Sequence, residues 1–87
     1  MNRPLIRVGD KTSHGGEVLS GSPNFIVDGK QVARLGDQVS CPQCKAPTVV
    51  ASASATYITD GQGTARDGDK TGCGAVLIAS QTVYLIE

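Results

Sequence analysis

The sequence predicts an all-β fold, a small pseudo-threefold cone built of short β-hairpins, with residues 1–87 forming a single domain. Three observations predict it. The dipeptide Gly-Asp occurs three times with a soft metal ligand four residues past the aspartate, so that Asp10 leads to His14, Asp37 to Cys41 and Asp69 to Cys73. Each Gly-Asp follows an arginine at the same interval, in Arg7-Val8-Gly9-Asp10, Arg34-Leu35-Gly36-Asp37 and Arg66-Asp67-Gly68-Asp69. Between these turns lie short β-branched stretches punctuated by eleven glycines and four prolines, which leave no long window with a helical apolar stripe. A period near thirty residues marks a repeat architecture, each copy burying its apolar face against the next.

Downstream of the ligands, Val18, Val50 and Val76 align, followed by Ser22, Ser54 and Ser80 and then by Phe25, Tyr57 and Val83. The first two copies continue in step, at an offset of 32, through Asp28-Gly29 and Asp60-Gly61 to Ala33-Arg34 and Ala65-Arg66. The third copy runs to Glu87, and Leu5 to Asp10 resembles its missing last strand, so the chain ends are expected to meet and close the ring.

The elements follow in order. Phe25-Ile26-Val27 reads as a strand ending in a hairpin signal, because Asp-Gly accommodates the positive φ values of tight turns between twisted strands. Gln31 to Leu35 returns from that turn, and each Gly-Asp begins the next excursion. Val49 to Thr59 reads as one or two strands ending at Asp60-Gly61. Gly74 to Ser80 has the composition of a short helix, but its alignment with Glu17 to Gly21 and Val49 to Ala53 makes it a strand. Gly9, Gly36 and Gly68 read as turn residues with positive φ, and Asp10, Asp37 and Asp69 as turn aspartates bonded to their own backbone. Arg7, Arg34 and Arg66 are expected to pair with acidic and carbonyl groups between copies.

One Phe, two Tyr and no Trp leave little large apolar surface to bury, and a chain of this size buries only about 60 to 65% of its unfolded surface. A staple is expected, and three cysteines do not all pair internally. Met1 to Val8 carries two arginines and a proline with no apolar run, so no signal peptide is expected, nor a transmembrane helix. Reduced thiols in a cytoplasmic setting favour metal binding over structural disulfides. Eight basic and eight acidic residues cancel. With no basic block and almost no aromatic surface, nucleic-acid binding is not expected.

His14, Cys41, Cys44 and Cys73 supply the four nitrogen and sulfur donors that a closed tetrahedral zinc site takes. Cys41-Pro42-Gln43-Cys44 has the spacing at which two sulfurs converge on one ion, and the repeat brings His14 and Cys73 to the same place. One structural zinc ion near the tip is therefore expected, thiolate-rich sites favouring it over magnesium or calcium. Competing readings are an exposed loop histidine at position 14 and a dithiol redox pair at Cys41 and Cys44. The pair lacks the following helix of a redox motif, since Pro47 and a β-branched stretch come next. A four-ligand zinc has no open position for water, and the one histidine is already used, so no enzyme is expected.

Taken together, Val8-Gly9-Asp10-Lys11-Thr12-Ser13-His14-Gly15-Gly16, Val32-Ala33-Arg34-Leu35-Gly36-Asp37, Cys41-Pro42, Ala65-Arg66-Asp67-Gly68-Asp69-Lys70-Thr71 and Cys73-Gly74-Ala75 closely resemble the PAAR-repeat proteins over essentially the whole chain. The resemblance implies a β-rich cone that caps and sharpens the trimeric VgrG spike protein of a bacterial type VI secretion system, one copy per trimer. The family's zinc is usually held by three histidines and one cysteine. His14, Cys41 and Cys73 carry over directly, while Cys44 stands where a histidine is frequent, which implies a one-His, three-Cys site. The resemblance further implies a cytoplasmic protein that is fired through a target membrane. Effectors would ride noncovalently, since Glu87 follows the third repeat directly, and no small-molecule substrate is implied. A phage-like contractile tail tip is the alternative, and a small zinc or dithiol module a remoter one.

Overall fold

The computed structural model describes residues 3–43, 47–54, 56–81 and 84–86. Among the described residues there is no helix, and none therefore long and apolar enough to cross a membrane. The strands are two residues long: β1 Arg3–Pro4, β2 Lys11–Thr12, β3 Ile26–Val27, β4 Lys30–Gln31, β5 Gln38–Val39, β6 Thr48–Val49, β7 Ile58–Thr59, β8 Gln62–Gly63, β9 Leu77–Ile78 and β10 Leu85–Ile86. They pair antiparallel as β1 with β10, β2 with β9, β3 with β4, β5 with β6 and β7 with β8. The predicted chain closure is present, with Arg3 opposite Ile86 and Pro4 opposite Leu85. Among the described residues of 49–59, strand is formed only at the ends, in β6 and β7. Between them, Ala51 N donates to Lys70 O of the next copy and Ser54 N to Thr64 O of its own.

Glycine and aspartate set the turns. In β3–β4 and β7–β8 the connecting residues are Asp28-Gly29 and Asp60-Gly61, each with φ values of 52° and 79°. Positive φ at both central positions is the primed turn whose twist matches paired strands. The Arg-x-Gly-Asp elements are a second kind of turn. The amides of Asp10, Asp37 and Asp69 donate to the carbonyls of Arg7, Arg34 and Arg66, each at 3.0 Å. Gly9, Gly36 and Gly68 occupy the third position at φ 92°, 89° and 89°, which an L side chain rarely adopts. The carboxylates then accept from the arginine amides at 2.8, 2.7 and 2.8 Å, as a turn aspartate should.

The three copies are joined in a closed cycle of backbone bonds. Ile6 N donates to Ala65 O at 3.0 Å, Ala65 N to Ala33 O at 3.0 Å, and Ala33 N to Ile6 O at 2.8 Å. A second cycle links Val18 to Val39, Val50 to Thr71 and Leu77 to Thr12. Most of these side chains make up the main core, Ile6, Val18, Ala33, Val39, Val50, Ala65 and Leu77, each at most 1% exposed. One isoleucine and two alanines share the inner ring, so a small core fills where three backbones converge.

The third copy corrects one alignment. Gly9 and Gly36 donate to Val18 and Val50, but Gly68 donates to Leu77, at 2.9 Å, and Leu77 N returns the bond to Asp69 O. Leu77, not Val76, is thus the equivalent of Val18 and Val50. The register moves by one through Gln81, whose amide side chain takes the place of Ser22 and Ser54, to Tyr84 rather than Val83. Val32 N, Thr64 N and Leu5 N donate to the carbonyls of Phe25, Tyr57 and Tyr84 at 2.9, 3.0 and 3.1 Å. Alternating β-branched residues make either register plausible from sequence. Leu77 wins because it is large and buried, whereas Val76 is only part-buried.

The three aromatic residues consequently meet. Phe25 stacks on Tyr57 at a 6.2 Å centroid distance and meets Tyr84 edge-on at 5.5 Å. The two tyrosine hydroxyls are 2.9 Å apart. Beneath them lies a second core of Leu5, Val32 and Ile86.

Candidate metal centre

His14 and Cys73 sit on copies of one turn. Gly15 N donates to Thr12 O at 3.1 Å and Gly74 N to Thr71 O at 3.0 Å, which places His14 and Cys73 at the same turn position. Gly15 and Gly74 close these turns at φ 80° and 85°. The buried threonine hydroxyls fix the loops from below. Thr12 Oγ1 accepts from His14 N at 3.3 Å and from Gly16 N at 3.1 Å, and Thr71 Oγ1 accepts from Ala75 N at 3.1 Å. Gly16 is required by contact rather than φ, since a Cβ there would lie 1.9 Å from the carbonyl oxygen of Ser40. That approach sets the loop of His14 against the strand leading to Cys41.

His14, Cys41 and Cys73 converge, their ligand atoms all within 4.8 Å of one another. His14 Nδ1 is 3.8 Å from Cys41 Sγ and 3.9 Å from Cys73 Sγ, while the two sulfurs are 2.9 Å apart. Tetrahedral zinc with its usual bond lengths separates sulfur from nitrogen by about 3.5 Å and sulfur from sulfur by about 3.8 Å. The imidazole already stands close to that spacing, and the sulfurs need to part by about 0.9 Å to admit the ion. Cys41 is buried and the other two are half-buried, so an ion here would be shielded but reachable. The donor set, one imidazole and two thiols, is soft and fits zinc. Cys44 lies outside the described residues.

The arginines do structural work around the ring. Arg34 and Arg66 chelate Asp37 and Asp69 through Nε and Nη2 at 2.9 to 3.0 Å. The bond to Asp37 holds the Arg34 guanidinium above its usual pKa, and that to Asp69 does so for Arg66. Arg7 departs from this pattern. Its Nη2 donates to Ser80 Oγ at 2.9 Å and its Nη1 to Val27 O at 3.3 Å, while Asp10 takes the Ser80 hydroxyl instead. Asp37 and Asp69 are thus occupied as turn and ion-pair groups, and Asp10 as a turn group that accepts from Ser80.

Sequence reasoning gave no role to Thr12, Thr71 or Gly16. The repeated Lys-Thr pair, two residues before a ligand in both Lys11-Thr12 and Lys70-Thr71, was the available signal. It also missed the aromatic cluster, which depends on the one-residue register change. No curated protein matches the chain. The family model described as the PAAR motif matches residues 8–79, spanning all three Gly-Asp turns and all three converging ligands. The chain belongs to the PAAR-motif family.

Proposed function

We propose that this chain is the pointed end protein of a bacterial type VI secretion spike, a pseudo-threefold cone seated as one copy on the blunt end of trimeric VgrG. The observation that carries this reading is a triplet of exposed aliphatic residues at equivalent positions. Ile26, Ile58 and Leu85 directly follow Phe25, Tyr57 and Tyr84, and are 55%, 54% and 44% exposed. From the ligand cluster, the bonded layers run through Thr12, Val39 and Thr71, then Ile6, Ala33 and Ala65, then Leu5, Val32 and Thr64 with the aromatic residues. The apolar triplet belongs to the layer farthest from the ligands. Three like residues presented by one chain match a partner that offers the same surface three times.

At the other end, His14, Cys41, Cys73 and, from the sequence, Cys44 hold one structural zinc. The ion supplies a cross-link among three loops where packing is thinnest, worth on the order of 10 kcal/mol in small metal-dependent domains. The role is mechanical rather than enzymatic. The protein assembles in the cytoplasm, leaves with the spike through the target membrane, and carries effectors that bind it noncovalently.

Copurification with a trimeric VgrG spike, followed by light scattering, tests the reading. One chain per three spike subunits is expected, with Ile58→Asp weakening the complex at least tenfold while leaving the free protein folded. A complex of another stoichiometry, or one indifferent to Ile58→Asp, Ile26→Asp and Leu85→Asp alike, would overturn it.

A further inference from the structure

Cys41 Sγ and Cys73 Sγ lie 2.9 Å apart, nearer to each other than either is to His14. That separation is about 0.9 Å shorter than a tetrahedral metal imposes and roughly as much longer than a sulfur-sulfur bond. The two residues come from different copies, 32 positions apart. We propose that Cys41 and Cys73 are a disulfide-forming pair, so that the metal-free protein, exposed to a peroxide, closes a covalent bridge between the second and third copies.

The surroundings divide the labour between the two sulfurs. Cys73 is the more exposed, and the Thr71 hydroxyl lies 3.3 Å from its sulfur. Cys41 is 4% exposed, shielded from a solution oxidant but not from its neighbour. The Cys73 thiolate attacks the peroxide, the oxygen-oxygen bond breaks, and hydroxide leaves, giving a sulfenic acid on Cys73. Cys41 sulfur then attacks Cys73 sulfur. The carbon-bound sulfurs join, the sulfur-oxygen bond breaks, and the hydroxyl departs as water with the Cys41 proton. Two thiols are oxidised and one peroxide is reduced to two waters. A bound metal ties up both sulfurs and blocks the first step, so bridge and ion are mutually exclusive.

This inference does not rest on the spike reading, and its test uses no partner. In Cys44→Ser, Cys41 and Cys73 are the remaining thiols. The full-length variant, reduced and stripped with a chelator, is treated in the cold with one equivalent of hydrogen peroxide, beside a sample in denaturant in which the bridge should form at least tenfold more slowly, a difference whose absence would overturn the proposal. A monomer lighter by about 2 Da, with no thiol left to alkylate, is expected. Peptide mapping should place the bridge between Cys41 and Cys73, and in the wild-type chain, with all its ligands, added zinc should slow oxidation at least tenfold. Two surviving thiols, overoxidation without a bridge, or only intermolecular dimers would overturn the proposal. The same treatment of the wild-type chain gives an answer should the variant fold poorly. A Cys41 to Cys73 link supports the pairing, and a link from Cys44 to either residue instead refutes it.

Discussion

Two of the outer hairpins, β3–β4 and β7–β8, are joined by a two-residue Asp-Gly turn, whereas the third, β1–β10, is assembled from the two ends of the chain. Their backbone bonds are alike, at 2.9, 3.0 and 3.1 Å. Their connections are not. Closing a loop of nearly the whole chain costs roughly 2 to 3 kcal/mol more than closing a tight turn. The end-to-end hairpin offsets that with side chains the others lack. Ile86, 3% exposed, packs with Leu5 and Val32. Gln81 replaces a serine and uses its whole amide, Nε2 donating to Leu5 O and Tyr84 O at 3.1 and 2.9 Å while Oε1 accepts from Tyr84 N at 2.7 Å. In Ser22 and Ser54 a hydroxyl accepts from the same backbone positions at 3.2 and 3.0 Å. Where the covalent chain does not hold a repeat together, specific side chains do.

The comparison can be broken first at the metal. Chelation should remove the link shared by all three copies and cost on the order of 10 kcal/mol, most of the stability of a small domain. A cooperative thermal transition at a much lower midpoint, restored by zinc, is the expected result. Next comes the closing hairpin itself. Ile86→Ala should cost about 2 to 4 kcal/mol in denaturant unfolding. Ile26→Ala, an exposed position on the turn-closed β3–β4, should change stability by less than about 0.5 kcal/mol. Equal losses would mean that closure does not depend on the second core. Gln81→Ala removes the side-chain partner of the buried Leu5 carbonyl and of the Tyr84 amide and should cost about 2 kcal/mol, against about 1 kcal/mol for Ser54→Ala.

The smallest effect concerns a turn-closed hairpin and depends on pH. Asp60 accepts from the Ser22 hydroxyl and from Asn24, and pairs with Arg34 at 3.2 Å. The Ser22 bond first, then that from Asn24, holds its carboxyl below the usual range. A depressed folded pKa contributes stability that is present above the unfolded value, about 3.9, and is lost as pH falls through the folded value. Asp60→Asn should therefore narrow the gap to wild type as pH is lowered from 7 to below 3, a trend visible in thermal midpoints across that range.

Much of this was legible in the sequence because glycine, aspartate and the metal ligands mark their own positions. Gly9, Gly36 and Gly68 announce a positive φ, Asp-Gly announces a hairpin, and equal spacing to His14, Cys41 and Cys73 announces convergence. What stayed hidden depends on packing. Val76 and Leu77 are adjacent apolar residues, and only burial against Val18 and Val50 decides which faces inward. With that choice go Gln81 and Tyr84, and with Tyr84 the aromatic cluster. Gly16 was legible as a loop residue, but its need for contact with Ser40 was not, since that neighbour comes from another copy.

Metal content tests the central claim most directly, namely that three equivalent loops converge on one ion. Elemental analysis of the purified, reduced protein should give one zinc per chain, and the same assay on Cys73→Ser and Cys44→Ser should give little or none. No metal in the wild-type protein, or an undiminished zinc content when Cys73 is replaced, would contradict the account.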